Sequence, residues 1–179
     1  MRLETGSMTD IRQEMVALLP RLRRFAYAQT GSLEVADDLV QAACERALAR
    51  LDQFTPGSRL DSWMFRIIAT TWIDRMRHAG RRRQVDAKVI ELMPFDARIH
   101  EQAEARADLA IVREEVARLP EEQRVVLALV AIDGQSYREA AETLGVPIGT
   151  IMSRLSRARR RLVDALEASG HDGRERLER

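Results

Sequence analysis

The side chains best suited to chemistry lie in an arginine-rich segment near the C-terminal end. Between residues 150 and 163 there are five arginines and no acidic residue. Arginine forms paired hydrogen bonds with phosphate or with a guanine edge, and serine and threonine hydroxyls reach either partner. At helical spacing, the outward residues are Thr150, Ser153, Arg154, Arg157, Arg160 and Arg161. The alternative is a solvated helix face, which an arginine run alone usually indicates.

The residues before and within this segment predict the element that would present it. Ser136 and Glu139 have the spacing of a capping box, which begins a helix. Ala141 is small enough for a close helix crossing, Gly145 permits a tight turn, and Pro147 is expected to start the next helix. The inward stripe of that helix is Ile148, Ile151, Leu155, Ala158 and Leu162. These features predict a helix-turn-helix, whose second helix enters the major groove of DNA.

The rest of the chain is predicted to be helical, because apolar residues recur at three- and four-residue steps almost throughout. Pro20 predicts a break or kink in the first helix, and Ser32 is expected to cap the second. Ser58 and Asp61 resemble a capping box for the third helix. Further helices are expected at 101–118 and from Pro120 onward.

Two small domains are expected within the 179 residues. Residues 84–100 lack periodicity and contain a proline, which predicts a flexible linker between a domain at 8–83 and another at 101–168. Residues 1–7 are expected to be a leader added in cloning. The expected fold is therefore all-α, with two helical domains joined by a flexible linker and a helix-turn-helix in the second.

Composition excludes several classes of protein. No apolar run approaches the ~20 residues that span a bilayer, and no signal-peptide stretch is seen, so we expect a cytoplasmic protein without membrane insertion. One cysteine and three scattered histidines exclude a disulfide framework and argue against a metal site. The sequence shows no catalytic triad, paired-acid site or phosphate loop. We therefore expect no enzyme, no cofactor and no small-molecule substrate.

Charge alternates in blocks along the chain. Residues 59–88 hold eight basic and three acidic residues, whereas residues 89–122 hold four basic and nine acidic ones. The arginine-rich segment 150–163 is the second basic block. Two basic blocks around an acidic one suggest two contact surfaces for an anionic polymer, joined by an acidic connector.

Over about residues 8–166 the chain resembles a bacterial RNA polymerase sigma factor of the extracytoplasmic function (ECF) group. Four blocks carry the resemblance, in this order: ADDLVQ and ERAL at 36–41 and 45–48; LDSWMFRI and ID at 60–67 and 73–74; LPEEQR at 119–124; YREAA and GTIMSRL at 137–141 and 149–155. There are two departures. Thr70 stands where the family usually has Asn, and Met152 stands where a basic residue is common.

The resemblance implies a transcription initiation factor. Its first domain would bind the clamp of core RNA polymerase and open the promoter −10 element, and its second domain would read the −35 element through the recognition-helix residues given above. The polymerase-facing residues would be Asp37, Asp38, Gln41 and Glu45. By themselves these residues indicate only a polar, largely acidic stripe, which is ordinarily a solvated face.

The −10 element would be melted and held by aromatic and basic side chains. Proteins that bind single strands combine shaped or aromatic pockets with basic grooves. The expected residues are Phe54, Trp63, Phe65, Arg66, Thr70, Arg75, Arg77, Arg81 and Arg82. For Trp63, packing in the core is the competing interpretation.

The resemblance also implies control by an anti-sigma factor. Because the linker is acidic and aperiodic, we expect the two domains to reorient without a packed interface, with the anti-sigma factor wedged between them and covering the stripe around Asp38. Two alternatives stay open: a sigma-like decoy, which would sequester the anti-sigma factor without binding DNA, and a helix-turn-helix repressor with a helical sensor domain. An enzyme has no supporting feature.

Overall fold

The computed structural model describes residues 5–55, 57–80 and 103–168, and the side chains within 10–55, 57–78 and 109–168. These residues form α-helices with short 3-10 and π-helical turns, and no strand occurs among them. The all-α expectation is confirmed. The expected linker at 84–100, together with Arg81 and Arg82, lies outside the described residues.

Three helices form the N-terminal bundle, residues 5–80. They are α1 (Thr5–Thr30), α2 (Leu33–Leu48) and α3 (Leu60–Gly80), with a 3-10 turn at Leu51–Gln53 between the last two. Each helix packs against both of the others. The helix α1 therefore begins inside the segment 1–7 that was expected to lie outside the fold.

The C-terminal bundle, residues 103–168, is arranged around its last helix. It contains α4 (Ala103–Arg118), α5 (Glu121–Leu127), a π-helical turn (Ala128–Ile132) that continues α5, α6 (Tyr137–Leu144) and α7 (Ile148–Ala168). The helix α7 packs against α4, α5 and α6. The buried stripe of α7 that makes these contacts is Ile151, Leu155, Ala158, Leu162 and Leu166.

Local signals predicted most helix starts, but one predicted start and one predicted break were wrong. The side chain of Ser32 caps α2 by accepting a hydrogen bond from the Val35 amide, as expected. Pro20 does not break α1, which runs through it. Pro20 is exposed while Leu18 and Leu22 on either side are buried, so packing stabilises the helix despite one lost backbone hydrogen bond.

The predicted capping box at the start of α3 is also absent. The Ser58 hydroxyl donates instead to the Thr55 carbonyl oxygen at 2.7 Å. Asp61 Oδ1 accepts from the Ser62 amide at 2.7 Å. The reason is that α3 begins at Leu60, so Ser58 lies one position too early to cap it.

The two bundles pack against each other, in contrast to the expected absence of an interface. The helix α3 contacts α6, and α1 contacts α5 and the π-helical turn. Phe25 and Phe65 of the N-terminal bundle and Val125 and Leu129 of the C-terminal bundle belong to one continuous hydrophobic core. Burial of apolar surface at this junction favours the packed arrangement over free reorientation.

Candidate nucleic-acid interface

The helix-turn-helix is built as its residues predict. The Glu139 amide donates to Ser136 Oγ at 3.2 Å, and the Ser136 amide donates to Glu139 Oε2 at 2.8 Å, which completes the capping box. Hydrogen bonds from the backbone and side chain of Ser136 and from Arg59 lower the pKa of Glu139 to about 2. Gly145 ends α6 with φ at +65°, a conformation that glycine adopts without strain.

The helix α7 presents a basic face on the side opposite its buried stripe. Ser153, Arg157, Arg160 and Arg161 are exposed, as expected for residues that contact DNA. Ile148, predicted to face inward, is 45% exposed because it lies in the first turn, ahead of the buried stripe. The exposed residues form a surface that can enter the major groove and pair with bases or phosphates.

Arg154 and Thr150 lie at the edge of this basic face, and both are half-buried. Arg154 Nη2 forms an ion pair with the Glu122 carboxylate of α5 at 2.5 Å. In this arrangement the Arg154 side chain points toward the start of α5. Sequence spacing placed Arg154 on the outward face, but the spacing held no signal for the pairing with Glu122.

Met152 and Ser156 also lie on the exposed side of α7, although sequence reasoning did not select them as contacts. Met152 is 50% exposed, and Ser156 lies between Ser153 and Arg160 on the same side. An apolar side chain can contact the methyl group of thymine, and a serine hydroxyl can reach bases or phosphates. Ser156 lies three residues after Ser153, and Met152 lies four residues before Ser156; this helical spacing was the available signal.

The aromatic residues expected at the −10 element divide into a core group and a surface group. Phe65 is fully buried, with its ring 5.0 Å from that of Phe25 and the Arg21 guanidinium 5.5 Å above it. Phe54 is buried, and its ring lies 5.2 Å from that of the half-buried Trp63. Of the three, only Trp63 has surface that could contact a base in this arrangement.

The polar and basic residues of α3 that were expected at the −10 element are exposed or half-buried. Thr70 is exposed, and its hydroxyl lies 2.8 Å from the Arg66 carbonyl oxygen within its own helix. Arg75 is half-buried and Arg77 is exposed near the helix end. The Arg66 side chain extends away from α3 and donates hydrogen bonds to backbone carbonyls of α6. It therefore joins the two bundles.

The polar stripe on α2 is exposed along its length. Asp37, Asp38, Gln41 and Glu45 lie opposite the side that packs in the N-terminal bundle. Asp37 pairs with Arg23 at 2.8 Å, and Gln41 donates to Glu45 Oε1 at 3.1 Å. The structure thus brings the four expected residues onto one accessible surface that can dock on a partner.

The described residues lack a metal-ligand cluster and a helix that could span a membrane. Within these ranges, no group of three or more histidine, cysteine, aspartate or glutamate side chains is placed to hold a metal ion. No helix among them combines the length and apolar character needed to cross a bilayer.

Comparison with protein families matches each bundle to a sigma-factor domain. The family described as Sigma-70, region 4, matches residues 109–162, which include the helix-turn-helix. The family described as Sigma2 domain of PhyR matches residues 15–69.

Whole-chain relatives agree with these matches. The ECF RNA polymerase sigma factor EcfG of Rhodopseudomonas palustris is 39% identical over 92% of this chain and 93% of its own length. The ECF RNA polymerase sigma factor SigW of Bacillus subtilis is 28% identical over 79% of this chain and 81% of its own length.

Solved structures give the same fold. The sigma factor RpoE of Bartonella quintana, in complex with the anti-sigma factor NepR, is 34% identical and has a TM-score of 0.73, with coverage of 88% of this chain and 97% of that one. The anti-anti-sigma factor PhyR of the same organism, also in complex with NepR, has a TM-score of 0.59 at 18% identity and shows the fold alone. This chain spans 49% of that PhyR chain.

Proposed function

Because this chain belongs to the ECF family of RNA polymerase sigma factors, we propose that it binds core RNA polymerase in the cytoplasm and directs it to specific promoters. The exposed stripe on α2 would dock on the polymerase clamp. The basic face of α7 would read the −35 element, and the α3 surface would bind the melted −10 strand. The factor would itself catalyse no reaction, because polymerase adds the nucleotides.

The observation that carries this proposal is the near-complete alignment with EcfG, combined with a helix-turn-helix whose second helix exposes a basic face. The alignment extends over 92% of the chain at 39% identity, so both bundles are included. Phosphate contacts by arginines such as Arg157 and Arg160 would supply affinity that falls as salt concentration rises. Base contacts by the same face would select the promoter sequence.

The test is reconstitution with purified core RNA polymerase. The chain should co-purify with core enzyme, and the holoenzyme should initiate at discrete sites when transcribing a fragmented genomic library in vitro. The matched control is core enzyme alone on the same library. Initiation only at the ends and nicks that core enzyme also uses would overturn the proposal.

A sigma-like decoy is the second candidate, favoured by the match of residues 15–69 to the Sigma2 domain of PhyR. A decoy would bind an anti-sigma factor and support no transcription. The exposed arginines of α7 argue against it, because a protein that binds no DNA has no use for a phosphate-binding face. The same reconstitution separates the two functions, since a decoy would leave core enzyme inactive at promoters.

We further propose that an anti-sigma factor controls this protein. The support is the RpoE relative, which was crystallised with NepR and matches 88% of this chain. An anti-sigma factor that covers the Asp38 stripe would compete with polymerase, since one surface cannot dock two partners at once. Added anti-sigma factor should therefore displace this chain from core enzyme in a pull-down.

A further inference from the structure

Beside the shared hydrophobic core, arginines of the N-terminal bundle donate hydrogen bonds to oxygen acceptors of the C-terminal bundle. Arg21 of α1 donates from Nε and Nη2 to the two carboxylate oxygens of Asp133, each at 3.0 Å. The Asp133 side chain is only 3% exposed. Paired hydrogen bonds between a guanidinium and a sheltered carboxylate are among the stronger polar contacts in proteins.

Arg66 of α3 binds the C-terminal end of α6. Its Nε donates to the Thr143 carbonyl oxygen and its Nη2 to the Glu142 carbonyl oxygen, both at 2.6 Å. The last carbonyls of a helix lack hydrogen-bond donors within that helix, and they lie at the negative end of its dipole. A guanidinium supplies both the donors and a positive charge. A Cβ added to Gly145 would lie 3.2 Å from Arg66 Nη2, so glycine leaves the space that this contact uses.

Arg59 binds the opposite end of α6, through an ion pair with Glu139 in the capping box. Hydrogen bonds with Asp61 and Glu139 raise the pKa of Arg59. Both ends of α6 are therefore held by arginines from the start of α3. Arg66 is among the residues expected to contact the −10 strand, and Arg59 lies in the same basic block, residues 59–88. Carbonyl and carboxylate oxygens offer a guanidinium the same kind of acceptor as a phosphate does.

We propose that the packed arrangement is a closed form in which α6 occupies Arg59 and Arg66 in place of the promoter strand, so that closure and single-strand binding exclude each other. This inference rests on the proposed function, because it takes α3 as the surface for the −10 strand. An arginine that donates to Thr143 and Glu142 cannot hold a phosphate with the same atoms. Closure therefore weakens the apparent affinity for single strands by the fraction of molecules that are open.

The first experiment loosens the junction by changing the C-terminal bundle and leaves the arginines that would hold the single strand unchanged. Asp133→Asn with Glu139→Gln removes two carboxylate charges opposite Arg21 and Arg59, while glutamine can still accept and complete the capping box. The matched control is Glu114→Gln with Glu115→Gln, which removes two charges that pair with Arg118 inside α4. Small-angle scattering of the free full-length chains reports compactness, and a labelled mixed-sequence 20-nucleotide single strand is the probe.

We expect the junction variant to have a larger radius of gyration and to bind the single strand about three- to tenfold more tightly than wild type, whereas the control matches wild type. A junction variant that stays compact, or that expands without any gain in affinity, overturns the inference. The inference is also overturned if neither the wild type nor either variant binds the single strand. Run-off transcription with core polymerase on the same preparations tests the proposed function separately.

A titration of the wild-type chain gives a test that needs no variant. Saturation with the single strand should increase the radius of gyration and increase hydrogen exchange at the amides of residues 137–144, because α6 is released. A saturated complex that stays compact, with α6 as protected as in the free chain, would show that the strand binds without opening the junction and would refute the exclusion.

Discussion

At the scale of single residues, the structure distinguishes arginines that the sequence pattern placed together on one face of α7. Arg157 is exposed on the outward side of α7, while Arg154 is half-buried against Glu122. In the proposed complex, Arg157 would approach a base directly. Arg154 lies at the edge of the basic face and points toward Glu122. We expect both to contribute to −35 recognition, for different reasons.

Arg157→Ala and Arg154→Ala should each weaken binding to the −35 element. Loss of a paired contact to a guanine edge costs ~1–3 kcal/mol and relaxes the preference at one promoter position. Binding isotherms on the mapped promoter and its single-base variants measure both effects. Arg138→Ala, an exposed position on α6 outside the proposed contact set, is the control. Wild-type affinity and specificity in the double variant would reject the assignment.

Glu139 makes the helix-turn-helix sensitive to acid. Its pKa is about 2 in the folded chain against an ordinary 4.5, so the native state favours the ionised carboxylate. This contribution to stability is fully present above about pH 4.5 and is lost as the pH falls toward 2. Glu139→Gln should therefore flatten the pH dependence of unfolding over that window.

Urea unfolding at several pH values between 2.5 and 6 checks this expectation. The comparison variant is Glu142→Gln, which removes the same charge from the same helix without touching the capping box. Identical profiles for wild type and Glu139→Gln would show that the capping carboxylate does not couple folding to pH.

At the scale of elements, the sequence was informative where a structure depends on neighbouring residues. The capping box at Ser136 and the turn at Gly145 follow from short-range geometry, and both were predicted correctly. The continuous helix through Pro20 was not predicted, because packing with other parts of the chain stabilises it. The absence of a cap at Ser58 was not predicted either, because it depends on the exact residue at which α3 begins. The spacing of Phe54 and Phe65 likewise could not show that both rings are buried.

A side chain at Gly145, in the turn of the helix-turn-helix, should lower the stability of the fold. Gly145→Ala forces alanine to φ +65° and brings its Cβ within 3.2 Å of Arg66 Nη2. We expect a loss of about 1–2 kcal/mol in the free energy of unfolding from the backbone conformation alone. Chemical denaturation measures the loss.

Gly149 offers a matched control, since it lies in α7 with nothing within 4 Å of an added Cβ and without a positive φ. Gly149→Ala should leave stability unchanged or raise it by about 0.4–1 kcal/mol, because alanine restricts the unfolded chain. Equal stability of Gly145→Ala and Gly149→Ala would contradict the role assigned to the turn.

At the scale of the whole molecule, the arrangement of the bundles could not be predicted from sequence. An arginine such as Arg66 suits a phosphate and a helix-end carbonyl equally well, so spacing and charge do not tell them apart. The acidic segment near the linker suggested independent domains, yet apolar surface on both bundles joins them in one core. Sequence reasoning thus indicated the polar and basic surfaces but not the contact between the bundles.

The polymerase-facing stripe gives the last prediction. Asp38 and Gln41 are exposed on α2, whereas the neighbouring Asp37 pairs with Arg23. Asp38→Arg with Gln41→Ala should leave helix content and unfolding nearly unchanged, since surface substitutions typically shift stability by less than about 0.5 kcal/mol.

Binding to core polymerase should nevertheless fall sharply in this double variant, because a reversed charge faces the clamp at the proposed docking surface. Co-purification with core enzyme measures the loss, and circular dichroism confirms the fold. Glu14→Arg reverses one exposed charge on α1, away from the stripe, and should co-purify like wild type. Normal co-purification of the double variant would place the polymerase contact elsewhere on the N-terminal bundle.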